Sequence, residues 1–172
     1  MYDDETDDEV VVTNDYTDEQ LQEAARRVAN VYARIVNRKF GCKIPVPVPM
    51  KFDLEFESLE MARAGGRAHS SMLIDINMTL FRENTQHILN DTIAHEMGHL
   101  VQFDKFNLKG VHTPGHGVHW MEAMRIMGKV PKKFHKMDTT NSVKSYKDRL
   151  KEVKAKTKAK AKAKAAIGDH DE

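Results

Sequence analysis

Two histidines four residues apart, with a glutamate beside the first, are the residues of this chain best suited to chemistry. His95-Glu96-Met97-Gly98-His99 has the form H-E-x-x-H. On a helix, positions i and i+4 share a face, so both imidazoles can reach one metal ion. Glu96 lies one step round the helix, close enough to hold a water at that ion. Leu89, Ile93, Met97 and Leu100 recur at helical spacing. Projected at about 100° per residue, they fall on the side opposite the histidines. The pattern predicts a helix capped at Asn84 or Thr85 and running to Phe103 or Phe106, with one face in the core and the other on a cleft. Gly98 inside that helix costs about 1 kcal/mol relative to alanine. Another element packed closely over it would explain the choice.

Catalytic zinc usually takes three protein ligands and keeps a fourth position for water, so a third donor is required. The metzincin continuation fails, because Gln102 stands where its glycine belongs. The next candidates are His112, His116, His119 and Glu122. His116 sits between Gly115 and Gly117, whose small size lets the backbone approach a metal. His119 and Glu122 share a face of the helix expected over Val118 to Met127. Spacing alone leaves all four open. Asp104 and His112 could orient ligands from behind.

H-E-M-G-H, followed seventeen residues after His99 by G-H-G-V-H-W, resembles the SprT-like metalloprotease domain of the SprT and Spartan proteins. The resemblance covers roughly residues 17 to 138. Ala64-Gly65-Gly66-Arg67-Ala68 and Ile74-Asp75-Ile76-Asn77 are similar to the two strands that precede the family's metal helix. It implies that His95, His99 and His116 are the metal ligands, with Zn²⁺ as cofactor, and that Glu96 is the catalytic base. It further implies a protein substrate, with cleavage of DNA-associated or DNA-crosslinked proteins. The implied fold is α+β: a zincin-like minimal metalloprotease domain with an N-terminal helix, a small three-stranded sheet, the metal helix, a following helix and disordered ends. In the expected reaction, zinc acidifies a water and polarises a peptide carbonyl, while Glu96 carries the proton to the leaving amine. His119 and His112 are candidates to stabilise the oxyanion.

The elements that must position these groups are readable in turn. Thr17-Asp18-Glu19-Gln20 is a capping-box start. Leu21, Ala25, Val28, Tyr32 and Ile35 follow at helical spacing, and Gly41 is placed to end the helix. Pro45, Pro47 and Pro49 mark an extended connector. Lys51 to Glu57 alternates, with Phe52, Leu54 and Phe56 on one side, and predicts a half-buried strand. Ala64 to His69 and Leu73 to Met78 predict two more. His69 reads as structural, and Met121, Met124, Met127 and Trp120 read as core.

The 172 residues carry 27 basic and 26 acidic side chains. That balance hides a polarity: residues 3–19 hold nine acids and no Lys or Arg, and residues 144–164 hold ten Lys or Arg against two acids. The chain divides into an acidic arm at 1–16, expected to be disordered, a catalytic domain at 17–138, and a Lys/Ala-rich basic tail at 139–172. Lys154, Lys156, Lys158, Lys160, Lys162 and Lys164 alternate through that tail, a composition suited to sequence-blind contact with DNA phosphates. A single cysteine, Cys42, excludes an intrachain disulfide and a Cys₄ zinc ribbon. No apolar run approaches the roughly 20 residues of a membrane span, and the acidic start differs from a secretory signal. The expectation is a cytoplasmic protein. Two other functions compete: a nucleic-acid-binding module with a closed, structural zinc site, and a zinc hydrolase acting on another amide.

Overall fold

A computed structural model describes residues 15–54, 56–106 and 115–167 of the chain. The acidic arm up to residue 14 and the candidate His112 lie outside the described residues.

The first helix, α1 (Asp18–Phe40), begins on the expected capping box. Thr17 accepts from the Gln20 N–H, the Gln20 side chain accepts from the Thr17 N–H, and Gly41 closes the helix at φ 66°. Its buried face is Leu21, Ala25, Ala29, Ala33 and Val36, with Val28 and Tyr32 on the flank. That face is mostly alanine, which brings the axis of α1 close to the helix carrying His95 and His99, against which it packs.

The chain continues through β1 (Met50–Lys51), α2 (Leu59–Arg63), β2 (Gly66–His69) and β3 (Leu73–Ile76). The sheet order is β1-β3-β2, with β1 parallel and β2 antiparallel to the central β3. Strand β1 is shorter than the alternation at 51–57 predicts. Phe52 and Leu54 are nevertheless buried: the side chains turn inward after the backbone has left the ladder. Among the described residues β2 pairs on one side only, which leaves its other edge free.

Next come α3 (Met78–Glu83), α4 (Thr85–His87), a π-helical turn (Ile88–Thr92) and α5 (Ile93–Lys105). Asn77 caps α3 by accepting from the Leu80 N–H. Asn84 precedes α4 but makes no side-chain cap. The wide turn directly before α5 changes the helical phase at the point where the motif begins. Helix α5 is enclosed on nearly every side: Ile93, Ala94, Met97, Leu100 and Val101 are fully buried, leaving His95 and His99 half-buried. Helix α6 (Val118–Ile126) packs across it.

The basic end departs from expectation. Residues Thr140–Ile167 form one helix, α7, where the sequence suggests a disordered tail. Its first turns dock on the domain. Buried Ser142 donates to the Ala62 carbonyl at 2.6 Å and accepts from Asn77 at 2.9 Å. Arg149 covers the Phe56 ring and donates to the Phe56 carbonyl. From Lys151 to Ile167 every residue is exposed. Alanine and lysine have high helix propensity, which favours a helix there without burial. No helix among the described residues is long and apolar enough to cross a membrane.

Candidate metal centre

Helix α5 presents His95 and His99 on one face, and the turn before α6 brings His116 to the same point. The donor atoms of the three imidazoles all lie within 4.8 Å of one another. His95 Nε2 is 2.9 Å from His116 Nε2 and 3.3 Å from His99 Nε2. Zinc–nitrogen bonds of about 2.0–2.1 Å in a tetrahedron separate their nitrogens by roughly 3.3 Å, so the three residues fit such an ion. His119 and Glu122 do not join them. The His119 ring stacks on Phe106 at 3.6 Å between centroids, and Glu122 is exposed. Asp104 is occupied elsewhere, accepting from the Lys43 N–H at 2.8 Å.

Gly98 and Trp120 explain how the cluster is held. A Cβ on Gly98 would come within 2.7 Å of the Trp120 indole, so the absent side chain lets α6 close on α5. Trp120 is fully buried, and its Nε1 donates to the His95 carbonyl at 3.0 Å. Its ring then lies 4.8 Å from the His95 ring and 4.6 Å from the His116 ring, centroid to centroid. The indole thus lies against all three imidazoles, edge-to-face with His95 and His116 and stacked with His99 at 6.0 Å. Gly115, at φ 63°, sets the left-handed bend that turns His116 toward them.

Burial controls the protonation of this group. It pushes His95 down to about 3 and His99 down to about 4, with neighbouring imidazoles adding to the effect and Gln102 opposing it at His99. His116 is lowered too, first by burial and then by Lys133. All three are therefore neutral at pH 7, the form a metal requires. Burial drives Glu96 the other way, up to about 8, against a hydrogen bond from the Ala68 backbone. That contact places Glu96 beside the free edge of β2. Gly66 permits the approach, since a Cβ there would be 3.1 Å from Glu96 Cγ.

The cluster opens on a cleft of about 450 Å³. Gly65, Gly66, Thr92 and Glu96 line one side of it, and Val130, Lys132, Lys133, Phe134 and His135 line another. The segment after α6 is thus a wall of the cleft, held where His135 meets the Arg63 carbonyl at 2.8 Å. Its role was not legible in the sequence, which predicted only a helix over Val118 to Met127 and nothing for the segment after it. Gln102 was also missed. It is fully buried and bonds to both His99 and Gly115. Its spacing of three residues from His99 was the available signal.

The SprT-like family model matches residues 27–143. Protein SprT of Pseudomonas fluorescens strain Pf0-1 is 34% identical over 83 residues, which covers 48% of this chain and 49% of that protein. Protein SprT of Pseudomonas aeruginosa strain UCBPP-PA14 is 39% identical over 72 residues, covering 41% and 42%. Protein SprT of Pseudomonas putida strain W619 is 34% identical over 89 residues, covering 52% and 50%. The chain spans about half the length of these relatives, or somewhat less. No solved structure is significantly similar to it. A metal-competent triad seated on an α+β scaffold accompanies a match over most of the chain, and the chain belongs to the SprT-like family.

Proposed function

We propose that this protein is a zinc-dependent endopeptidase of SprT-like type with a zincin-like catalytic domain at 17–138. The observation that carries this reading is the convergence of three neutral imidazoles beside a buried glutamate at an open cleft. A structural zinc site is closed by four ligands. Among the described residues the cluster offers three donors, which favours catalysis over the structural alternative.

His95, His99 and His116 would hold the ion, which supplies Lewis acidity to acidify water and polarise a carbonyl. Glu96 accepts the proton of the attacking water on a carboxylate oxygen and returns it to the leaving amine. Burial raises its pKa in the metal-free centre, and a dication bound beside it would favour the carboxylate form that a base requires. The free edge of β2 runs beside Glu96, and an extended peptide can add to such an edge by main-chain hydrogen bonds with little demand on sequence. Strand β2 is therefore the proposed substrate edge.

Contact with DNA and action on DNA-associated or DNA-crosslinked proteins in the cytoplasm extend this reading. The arrangement of charge supports them. Arg63 lines both the metal cleft and a neighbouring groove formed with Lys144, Lys147 and Lys151 of α7. Beyond that groove, α7 continues as an exposed lysine helix. Phosphates gathered there would lie next to the cleft mouth. The test is metal analysis of the purified chain, with cleavage of casein by wild type and Glu96→Gln, each with and without DNA. Zinc at one equivalent, with cleavage lost only in the variant, supports the peptidase. Retained cleavage in Glu96→Gln removes Glu96 from its role.

A further inference from the structure

We propose that Gln102 is a positioning residue for the metal centre: it fixes which nitrogen of His99 carries the proton and ties that histidine to the turn bearing His116. The inference rests on the reading of the three histidines as ligands. Gln102 is 1% exposed, so both ends of its amide must find partners inside the protein. Its Nε2 donates to the Gly115 carbonyl at 3.3 Å, and its Oε1 lies 2.8 Å from His99 Nδ1. The Gly115 carbonyl can only accept, which sets the amide with nitrogen toward Gly115 and oxygen toward His99. An amide oxygen also only accepts. His99 Nδ1 must then carry the proton, and Nε2 keeps its lone pair.

Nε2 is the atom that faces His95 in the cluster, at 3.3 Å. A hydrogen bond at the far ring nitrogen holds the plane of a ligating imidazole and raises its basicity. The second bond works on the third donor, because Gly115 immediately precedes His116. One buried amide thus links the helix-borne ligand to the loop-borne one.

Two variants separate the bonds. Gln102→Met keeps the length of the side chain and removes both hydrogen bonds. Gln102→Glu keeps an acceptor for His99 and loses the donor to Gly115. The full chain is titrated with zinc against a chromophoric chelator, and thermal unfolding of the metal-free protein controls for folding. Gln102→Met should bind zinc about 10–100-fold more weakly, and Gln102→Glu, which keeps only the His99 bond, should fall between that variant and wild type. Wild-type affinity in a folded Gln102→Met overturns the proposal. Equal loss in both variants overturns the role of the His99 bond, and wild-type affinity in Gln102→Glu overturns the tie to the Gly115 turn. If Gln102→Met does not fold, ring-nitrogen chemical shifts of metal-free wild type decide: a protonated Nδ1 and bare Nε2 at His99 support it, and the reverse overturns it. A wild-type chain that takes up no zinc overturns the reading of the triad itself, and this inference falls with it.

Discussion

Helices α5 and α7 are helical for opposite reasons. Helix α5 contains a glycine and β-branched residues, Ile93 and Val101, which disfavour an isolated helix. It is held by burial on nearly all sides and by Trp120 pressed onto Gly98. The outer half of α7 is alanine and lysine, favourable locally, and is exposed throughout from Lys151 onward. The contrast teaches how the two kinds of work divide. Holding three nitrogens within a few tenths of an ångström needs a helix whose position other elements decide. The proposed presentation of charge to a polyanion by α7 needs only reach and sign, because phosphate contact carries no sequence information.

The largest expected effect breaks α5 at its function. His116→Ala removes the donor supplied from outside the helix and should abolish stoichiometric zinc by metal analysis, along with cleavage. Glu96→Gln should keep the zinc and slow cleavage by about 10²–10⁴-fold in a casein assay. His119→Ala should keep zinc, since that ring stacks on Phe106 and stands apart from the cluster.

Alanine substitution sharpens the comparison further. In an exposed helix, Gly→Ala gains about 1 kcal/mol. At Gly98 the new methyl meets a fully buried indole at 2.7 Å, and overpacking of this kind costs about 1–3 kcal/mol. Gly98→Ala should therefore lower Tm. Lys158→Ala on α7 should change stability by no more than about 0.5 kcal/mol. Chemical denaturation of both variants tests the pair.

Acid and base act on the metal-free centre in opposite directions. His95 and His99 lie near 3 and 4 in the fold, against an ordinary 6.5. Between those values the unfolded chain binds more protons, so stability falls as pH drops below about 6.5. Glu96 lies near 8 against an ordinary 4.5. There the folded chain binds more protons, so stability falls as pH rises from 4.5 toward 8. Two histidines outweigh one glutamate below 6.5, and Glu96 acts alone above it. The Tm of metal-stripped protein should peak near pH 6.5. In Glu96→Gln the decline above that pH should vanish.

The smallest effect belongs to α7. Lys154, Lys158 and Lys162 stand four apart, as do Lys156, Lys160 and Lys164. Such like-charged pairs each cost about 0.2–0.5 kcal/mol. Added salt should raise helicity by far-ultraviolet circular dichroism, and should weaken the proposed binding to an oligonucleotide. A helicity that does not respond to salt would remove the electrostatic account of this segment.

Several features were legible in the order of residues because their physics is local. The capping box at Thr17, the stop at Gly41 and the pairing of His95 with His99 each depend on a few consecutive residues. The strand expected at 51–57 overran, because alternation records which side chains are buried and not whether the backbone is paired. The 139–172 tail, without an apolar pattern, read as a disordered end, although alanine's propensity favours helix there and Ser142 and Arg149 anchor the first turns of α7.

By itself, the sequence determined which residues could ligate a metal, which glutamate stood beside them, and that the two ends carried opposite charge. Residue type and helical period suffice for that. Only the tertiary structure chose His116 over His119 on geometric grounds, gave Gln102 two partners, and made the 130–135 segment a wall of the cleft. Those outcomes depend on where α6 crosses α5, and that crossing is set by a missing Cβ on one helix meeting an indole on another, a relation between residues 22 positions apart that no local pattern encodes.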